Sequence, residues 1–371
     1  DKPVAICRLK RVAADNRGDI RERLPTAPAT RNGKKVALVG AGCASLTVAN
    51  DLLPLGYEVT IFEGLDTTGG LMRTNIPQFR LPPDVLDEEI GYILDMGADL
   101  RLGHRIDSMR ELLEEGYDAI FVGTGAPKGK NLEIPGRYDS DRIHIGIEWL
   151  ESVAFEHIES IGERVLIIGV GNTAMDCCRT SLRLGASDVK VMARKPRGFF
   201  KASAWELEDA EEENVEILVN HSPKEFVYDD GKLVGMKFEL MEYEIDEQGR
   251  IDRGTATGEV VIPCDDVVLA IGQDHAFPWI ERDIGIEFNK WDCPDVDETT
   301  MMCTRDGVFF GGDAAFGPKN IIWAVEHGHQ AAISIHKYCH GEDLHDRLPY
   351  GLNLSSQKMG MHEWSYSNDY D

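Results

Sequence analysis

The stretch Val36-Ala-Leu-Val-Gly-Ala-Gly-Cys-Ala-Ser-Leu46 decides the fold. Its apolar start reads as a short buried strand, its glycines as a turn, and its small residues as the opening of a helix. Gly40 permits the tight turn, and Gly42 lets backbone approach a pyrophosphate whose charge faces the N–H groups of the following helix. Ser45 stands at the third position, where a small residue keeps helix and strand close. Glu63 closes the next strand, about 20 residues beyond Gly40, the spacing expected of an acid that holds a ribose hydroxyl. Lys35–Gly40, Cys43–Leu55 and Tyr57–Glu63 therefore form one βαβ unit for a dinucleotide.

The same logic returns at Val165-Leu-Ile-Ile-Gly-Val-Gly-Asn-Thr-Ala174. Gly169 and Gly171 make the turn, Ala174 is the small third position, and Asn172 and Thr173 either cap the helix or donate to phosphate. Here the second strand, Val189–Ala193, ends not on an acid but on Arg194 and Lys195, with Arg197 nearby. Cations at this place suit a 2′-phosphate, hence NADP(H), better than the bare ribose of NAD(H); as strand-end charges they also read as a solvated turn. The two units amount to a duplication of pattern rather than of sequence.

The rest of the chain is organised around them. Residues 1–34 read as a helix and a charged, Pro-rich linker, Gly64–Pro83 as a loop, and Asp84–Met96 as a helix. Ala119–Val122, Val267–Ile271 and Val308–Phe310 are short apolar strands. Val215–Val219, Phe226–Tyr228 and Leu233–Glu242 have β character, and Asn320–Tyr338 is a long closing helix. The expected class is α/β, with two Rossmann-like three-layer dinucleotide-binding domains, the second inserted in the first. The expected segments are 35–150 and 263–345 for the first domain and 151–262 for the second. They are flanked by the N-terminal piece 1–34 and a tail, 346–371. That tail holds Met359, Trp364, Tyr366 and Tyr370, and reads as disordered or as lying along a partner.

Composition narrows the class. The 371 residues are 42% hydrophobic and 28% charged, with a formal net charge of −26. That acidity argues against nucleic acid as a partner, and no apolar run approaches the roughly 20 residues that span a bilayer. Eight cysteines are scattered without a C-x-x-C, so neither a redox dithiol of the usual spacing nor a complete iron–sulfur motif is visible. The cytoplasm is the expected compartment.

With these motifs the chain resembles the small-subunit class of glutamate synthase and related FAD/NAD(P)H electron-transfer flavoproteins. It is similar in architecture to adrenodoxin-reductase-like and thioredoxin-reductase-like enzymes. The resemblance rests on Val36–Leu46, Gly69-Gly70-Leu71, Ile76-Pro-Gln-Phe-Arg-Leu-Pro82, Phe121-Val-Gly-Thr-Gly125, Gly169–Asp176, Ala270-Ile-Gly-Gln273, Gly311-Gly-Asp313 and Trp323-Ala-Val325, all in family order. It implies that Gly40, Gly42, Ser45 and Glu63 hold FAD, that Gly70 and Leu71 lie along the flavin, and that Ile76–Leu81, including Arg80, lies near its ring. Ile106, Thr124, Gly125, Gly312 and Asp313 belong to the same implied FAD site. The helix beginning near Ile322 aims its positive end at the flavin edge where negative charge gathers. Asn172, Thr173, Arg194 and Lys195 face NAD(H) or NADP(H).

The sequence also departs from the family. Cys43 replaces a usual Pro and Ser45 a usual Gly, and Lys201-Ala-Ser203 stands where relatives have Met-Pro-Ala. Pro3-Val4-Ala5-Ile6 resembles the end of a cluster-binding segment, but Cys7 alone cannot hold a cluster. The implied reaction is hydride transfer between nicotinamide and flavin, carried by the cofactors, so no catalytic side chain is named. His327 and His329 read as structural or solvated. The expected partner is an iron–sulfur or catalytic subunit of an oxidoreductase complex. Three readings stand: the flavin subunit of a tungsten- or molybdenum-dependent aldehyde or formate oxidoreductase, a glutamate synthase small subunit, and a nucleotide-binding scaffold.

Overall fold

The computed structural model describes residues 4–347, so the aromatic tail from Gly351 onward lies outside the described residues. A surface helix, α1 (Ile6–Asp15), precedes the first parallel unit. That unit runs β1 (Lys35–Val39), α2 (Cys43–Leu52), β2 (Glu58–Phe62), α3 (Leu71–Thr74), α4 (Pro83–Leu94), β3 (Asp99–Arg101), α5 (Met109–Glu114) and β4 (Ala119–Val122). After the two-residue β5 (Lys128–Gly129) comes a second unit: β6 (Ile143–Ile145), α6 (Gly146–Ala154), β7 (Arg164–Ile168), α7 (Asn172–Arg183), β8 (Asp188–Met192), α8 (Ala204–Glu212) and β9 (Glu216–Leu218). Three longer strands follow, β10 (His221–Asp229), β11 (Lys232–Ile245) and β12 (Ile251–Pro263). The described chain ends through β13 (Asp266–Leu269), β14 (Gln273–Asp274), β15 (Val308–Phe310), α9 (Asp313–Phe316) and α10 (Ile321–His340).

The strands assemble into two parallel five-stranded sheets, ordered β15-β4-β1-β2-β3 and β6-β13-β7-β8-β9. Successive residues of a strand face opposite sides, and here both sides are apolar, so each sheet is buried on both faces. In the first, Val36 and Leu38 of β1 join Phe121 and Phe309 in one core, while Ala37 and Val39 join Val122 and Phe310 in another. In the second, Val165 and Ile167 face the core that also holds Cys177 and Cys178 of α7, while Leu166 and Ile168 face Phe226, Met236 and Phe238. The antiparallel sheet β10-β11-β12 thus covers the second parallel sheet where α7 does not.

The second sheet draws β6 and β13 from outside 151–262, the span expected for the inserted domain. Each is only three or four residues long, too short for periodicity to assign to one sheet rather than the other. Gly64–Pro83, expected as loop throughout, contains the one-turn helix α3. β12, which no sequence pattern announced, is a Gly/Thr-rich strand that pairs along most of β11. Among the described residues, no helix is long and apolar enough to cross a membrane.

Candidate functional site

Both glycine turns sit where their sheet changes direction. β1 has β2 on one side and β4 on the other; β7 has β8 on one side and β13 on the other. At such a point the loops beyond the carboxyl ends part and leave a crevice. In the first crevice Gly40 adopts φ 93°, and a Cβ there would sit 2.9 Å from the Gly123 carbonyl oxygen. Gly40 is therefore a requirement of the chain itself. Gly42 differs: it caps α2 in extended backbone, and an added Cβ would come no closer than 3.7 Å to anything. The chain leaves it room, so its smallness suits something that approaches from outside.

The surrounding segments converge on this turn. The Glu63 carboxylate accepts from Ala41 N at 2.8 Å and from Leu65 N at 2.9 Å, which fixes it beside the turn. Gly69 N donates to Ala41 O at 2.9 Å, and Gly70 packs so closely on Gly42 that a Cβ would stand 3.2 Å from its Cα. Leu71 starts α3 from that contact. On the other side Gly123 admits Ser45; a Cβ on Gly123 would meet the Ser45 hydroxyl oxygen at 2.3 Å. Ser45 Oγ and Thr124 Oγ1 are buried with no hydrogen-bond partner among the described residues. Gly125 follows at φ 69°. Ile106 lies partly buried against the core beneath β1 and β2.

The C-terminal segment closes the crevice. Gly312, at φ 63°, fits between Ala44 of α2 and Ala324 of α10. Burial pushes the Asp313 carboxyl above its ordinary range, while its Oδ1 accepts from Lys319 N at 3.0 Å. Asn320 caps α10 by accepting from Trp323 N, and Ile322 beside it is 78% exposed. His327 is buried, and its Nδ1 accepts from Gly312 N at 3.2 Å. His329 pairs with Asp51. His327 and His329 thus both have partners within the chain.

The second crevice repeats the plan. Gly169 adopts φ 122°, and a Cβ there would be 2.2 Å from Ala270 O. Gly171 has nothing within 4 Å of its would-be Cβ. Ala202 N donates to Val170 O at 3.0 Å, just as Gly69 N does to Ala41 O in the first turn. Asn172 neither caps α7 nor turns its carbonyl outward: Oδ1 accepts from Ser203 N at 3.0 Å, which ties α8 to the turn. Thr173 stands partly exposed one residue on, and Arg194 and Lys195 are exposed at the end of β8.

Arg80, expected along the first cofactor, spans to the second unit. Its Nη1 lies 2.5 Å from Asp176 Oδ1 on α7, and its Nη2 pairs with Glu206 of α8. Gly123, Gly328 and Asp176 carry geometry that the motifs did not assign. Gly123 lies in the Phe121–Gly125 motif, which implies no role for it; Gly328 lies in a helix, where sequence offers no reason for a glycine.

The buried lone hydroxyls, the closely packed Gly70 and the room at Gly42 fit a dinucleotide in the first crevice; Gly171 and the cations at β8 fit one in the second. Residues 34–328 match the family described as pyridine nucleotide-disulphide oxidoreductase. The chain belongs to that family. This oxidoreductase is 35% identical to the NADP(+)-dependent formate dehydrogenase subunit beta of Moorella thermoacetica, over 98% of the chain and 55% of the relative. It is 33% identical to the glutamate synthase [NADPH] small chain of Halomonas elongata, over 83% of the chain and 69% of the relative. The oxidoreductase chain thus spans about half the length of the first of these curated relatives. Its fold superimposes on Mycobacterium tuberculosis FprA in complex with NADPH with a TM-score of 0.70 at 17% identity, covering 83% of this chain and 85% of that one. Cys177 and Cys178 are free and buried in the core, and burial drives both thiols up, Cys178 to about 12.

Proposed function

We propose that the first crevice binds FAD, the second binds NADP(H), and the chain passes electrons between them as one subunit of a larger oxidoreductase. The observation that carries this reading is the pair of switch-point turns whose outer glycines, Gly42 and Gly171, are small without any need within the chain. Glu63 would hold the ribose of FAD, Gly42 and Gly70 would admit its pyrophosphate, and Ser45 and Thr124 offer it hydroxyls. Asp313 and the start of α10 would face the flavin end. Gly171 and Thr173 would receive the nicotinamide dinucleotide, with Arg194 and Lys195 at a 2′-phosphate. Bound together, flavin and nicotinamide supply hydride-transfer chemistry; the chain orients them and keeps water out.

The relatives' names support onward transfer to a partner, since one is a beta subunit and the other a small chain. The Moorella relative favours a metal-dependent formate or aldehyde oxidoreductase as that partner, with NADP+ as the final acceptor. The Halomonas relative favours a glutamate synthase, with electrons flowing from NADPH. Tagging the chain in its native host separates the two readings: a co-purifying metal dehydrogenase supports the first, and an amide-transferring large chain the second.

The core reading is tested by mixing the FAD-loaded chain with NADPH without oxygen. The flavin band bleaches, and NADPH outperforms NADH. Replacing Arg194 and Lys195 with Ala weakens NADPH about tenfold or more, since a charge-assisted contact contributes about 1.5–3 kcal/mol, and leaves NADH little changed. A flavin that neither nucleotide bleaches overturns the reading.

A further inference from the structure

The segment from Asn75 to Arg80 leaves the flavin-side turn and crosses onto the second unit. Asn75 Nδ2 donates to Ile147 O of α6 at 2.8 Å. The Phe79 ring lies under the Arg183 guanidinium of α7 at 3.8 Å from the ring centre. Arg80 ends the crossing on Asp176 and Glu206. Those two carboxylates are 6% and 3% exposed, a position in which an ionised carboxylate is costly unless paired. Arg179, itself 9% exposed, lies 3.9 Å from Glu206 and is held from the far side by Asp209 and Glu213.

Both ends of this clasp are fixed to nucleotide turns. On the first unit, Arg80 lies ten residues beyond Gly70, which packs on Gly42. On the second, Asp176 lies one helical turn beyond Asn172. Glu206 belongs to α8, whose start is tied to Asn172 through Ser203. Beside the clasp a cleft of about 230 Å³ lies between Asn75–Phe79 and the face formed by Leu150, Val153, Thr180, Arg183 and Leu184. At this edge Asn75, Phe79 and Arg80 bridge the two units through directional contacts.

We infer that Arg80 is a positioning residue: through Asp176 and Glu206 it holds the two nucleotide turns at the separation that brings nicotinamide and flavin together. In this role it acts through the two carboxylates and not on the reacting rings. The inference rests on the two-cofactor reading above and predicts a specific split. Breaking the clasp leaves each nucleotide bound in its own crevice but slows transfer between them, because a displacement of about 1 Å can cost up to about a hundredfold in rate.

The test is single-turnover flavin reduction by NADPH in the absence of oxygen, on the FAD-loaded chain. Arg80→Gln slows reduction at saturating NADPH about tenfold or more, with flavin content and NADPH affinity changed less than about twofold. Arg80→Lys, which keeps one charged contact, recovers part of the rate. Asp176→Asn slows reduction too, and the double variant is no slower than the worse single one, since both remove the same contact. Where Arg80→Gln yields little folded protein, Arg80→Lys alone decides the case: a partial loss supports the clasp and a wild-type rate overturns it. Wild-type reduction in Arg80→Gln, or losses that multiply in the double variant, also overturns it. A wild-type chain that NADPH does not reduce sinks the two-cofactor reading, and Arg80's role with it.

Discussion

At the scale of single residues, the site depends on groups that are small, buried or fixed in an unusual backbone. His327 shows how tightly chemistry and packing are linked. Its Nδ1 accepts from the buried Gly312 N–H, so the ring must be neutral there. Lys319 on the preceding loop and Glu326 on the same helix face it, with the Phe316 and Trp323 rings against it. Burial, reinforced by Lys319, pushes its pKa down to about 4 from the ordinary 6.5. Between those values an unfolded chain takes a proton that the folded one refuses, so the stabilisation is complete above about pH 6.5 and lost as the pH falls towards 4. Acid unfolding monitored by circular dichroism should show that limb, and His327→Asn, which keeps an acceptor but cannot titrate, should flatten it. His327→Leu instead leaves the Gly312 N–H without this acceptor and costs about 1–3 kcal/mol at neutral pH. An unchanged acid limb in His327→Asn contradicts the assignment.

At the scale of elements, the closing helix α10 reaches the first turn because Gly328 lets it lie against α2. A Cβ at that position would meet Ala44 O at 2.6 Å and Thr47 Cβ at 2.7 Å. Gly328→Ala should therefore push the helices apart, cost about 1–3 kcal/mol by denaturant unfolding, and lower flavin retention in step; stability and retention equal to wild type would refute this packing role. Elements of this kind also mark how much was legible in the sequence. The strand–turn–helix pattern placed β1, α2, β7 and α7, because glycines at that spacing directly after an apolar run suit a tight turn into a helix and little else. β13 was legible as a strand, but it and β6 are too short to assign to one sheet rather than the other, and β12 carries Gly, Thr and Ala, which show no alternation to read. Within the site, Gly42, Glu63 and Gly171 were visible as motif positions. Arg80 was visible as a motif residue but its pairing was not, because the partners Asp176 and Glu206 come from another domain and no local spacing announces an interdomain contact. Asn172, read as either a cap or a phosphate donor, does not cap α7; its oxygen serves Ser203, thirty-one positions on.

At the scale of the whole molecule, two parallel sheets of the same order present two similar turns, and the two turns take different ligands in the function proposed above. The chain makes this separable. Because Gly42 and Gly171 have room for a methyl group in the protein itself, alanine at either should fold normally and obstruct only the nucleotide that approaches it. The decisive measurement is therefore a side-by-side determination of bound FAD and of NADPH dissociation constant in Gly42→Ala and Gly171→Ala. The expected result is crossed: Gly42→Ala weakens FAD about tenfold or more and leaves NADPH affinity near wild type, while Gly171→Ala does the reverse, each methyl group costing about 1–3 kcal/mol of overpacking against its ligand. Loss of both ligands in either variant, or loss of FAD from Gly171→Ala with FAD retained by Gly42→Ala, would contradict the assignment of the two crevices.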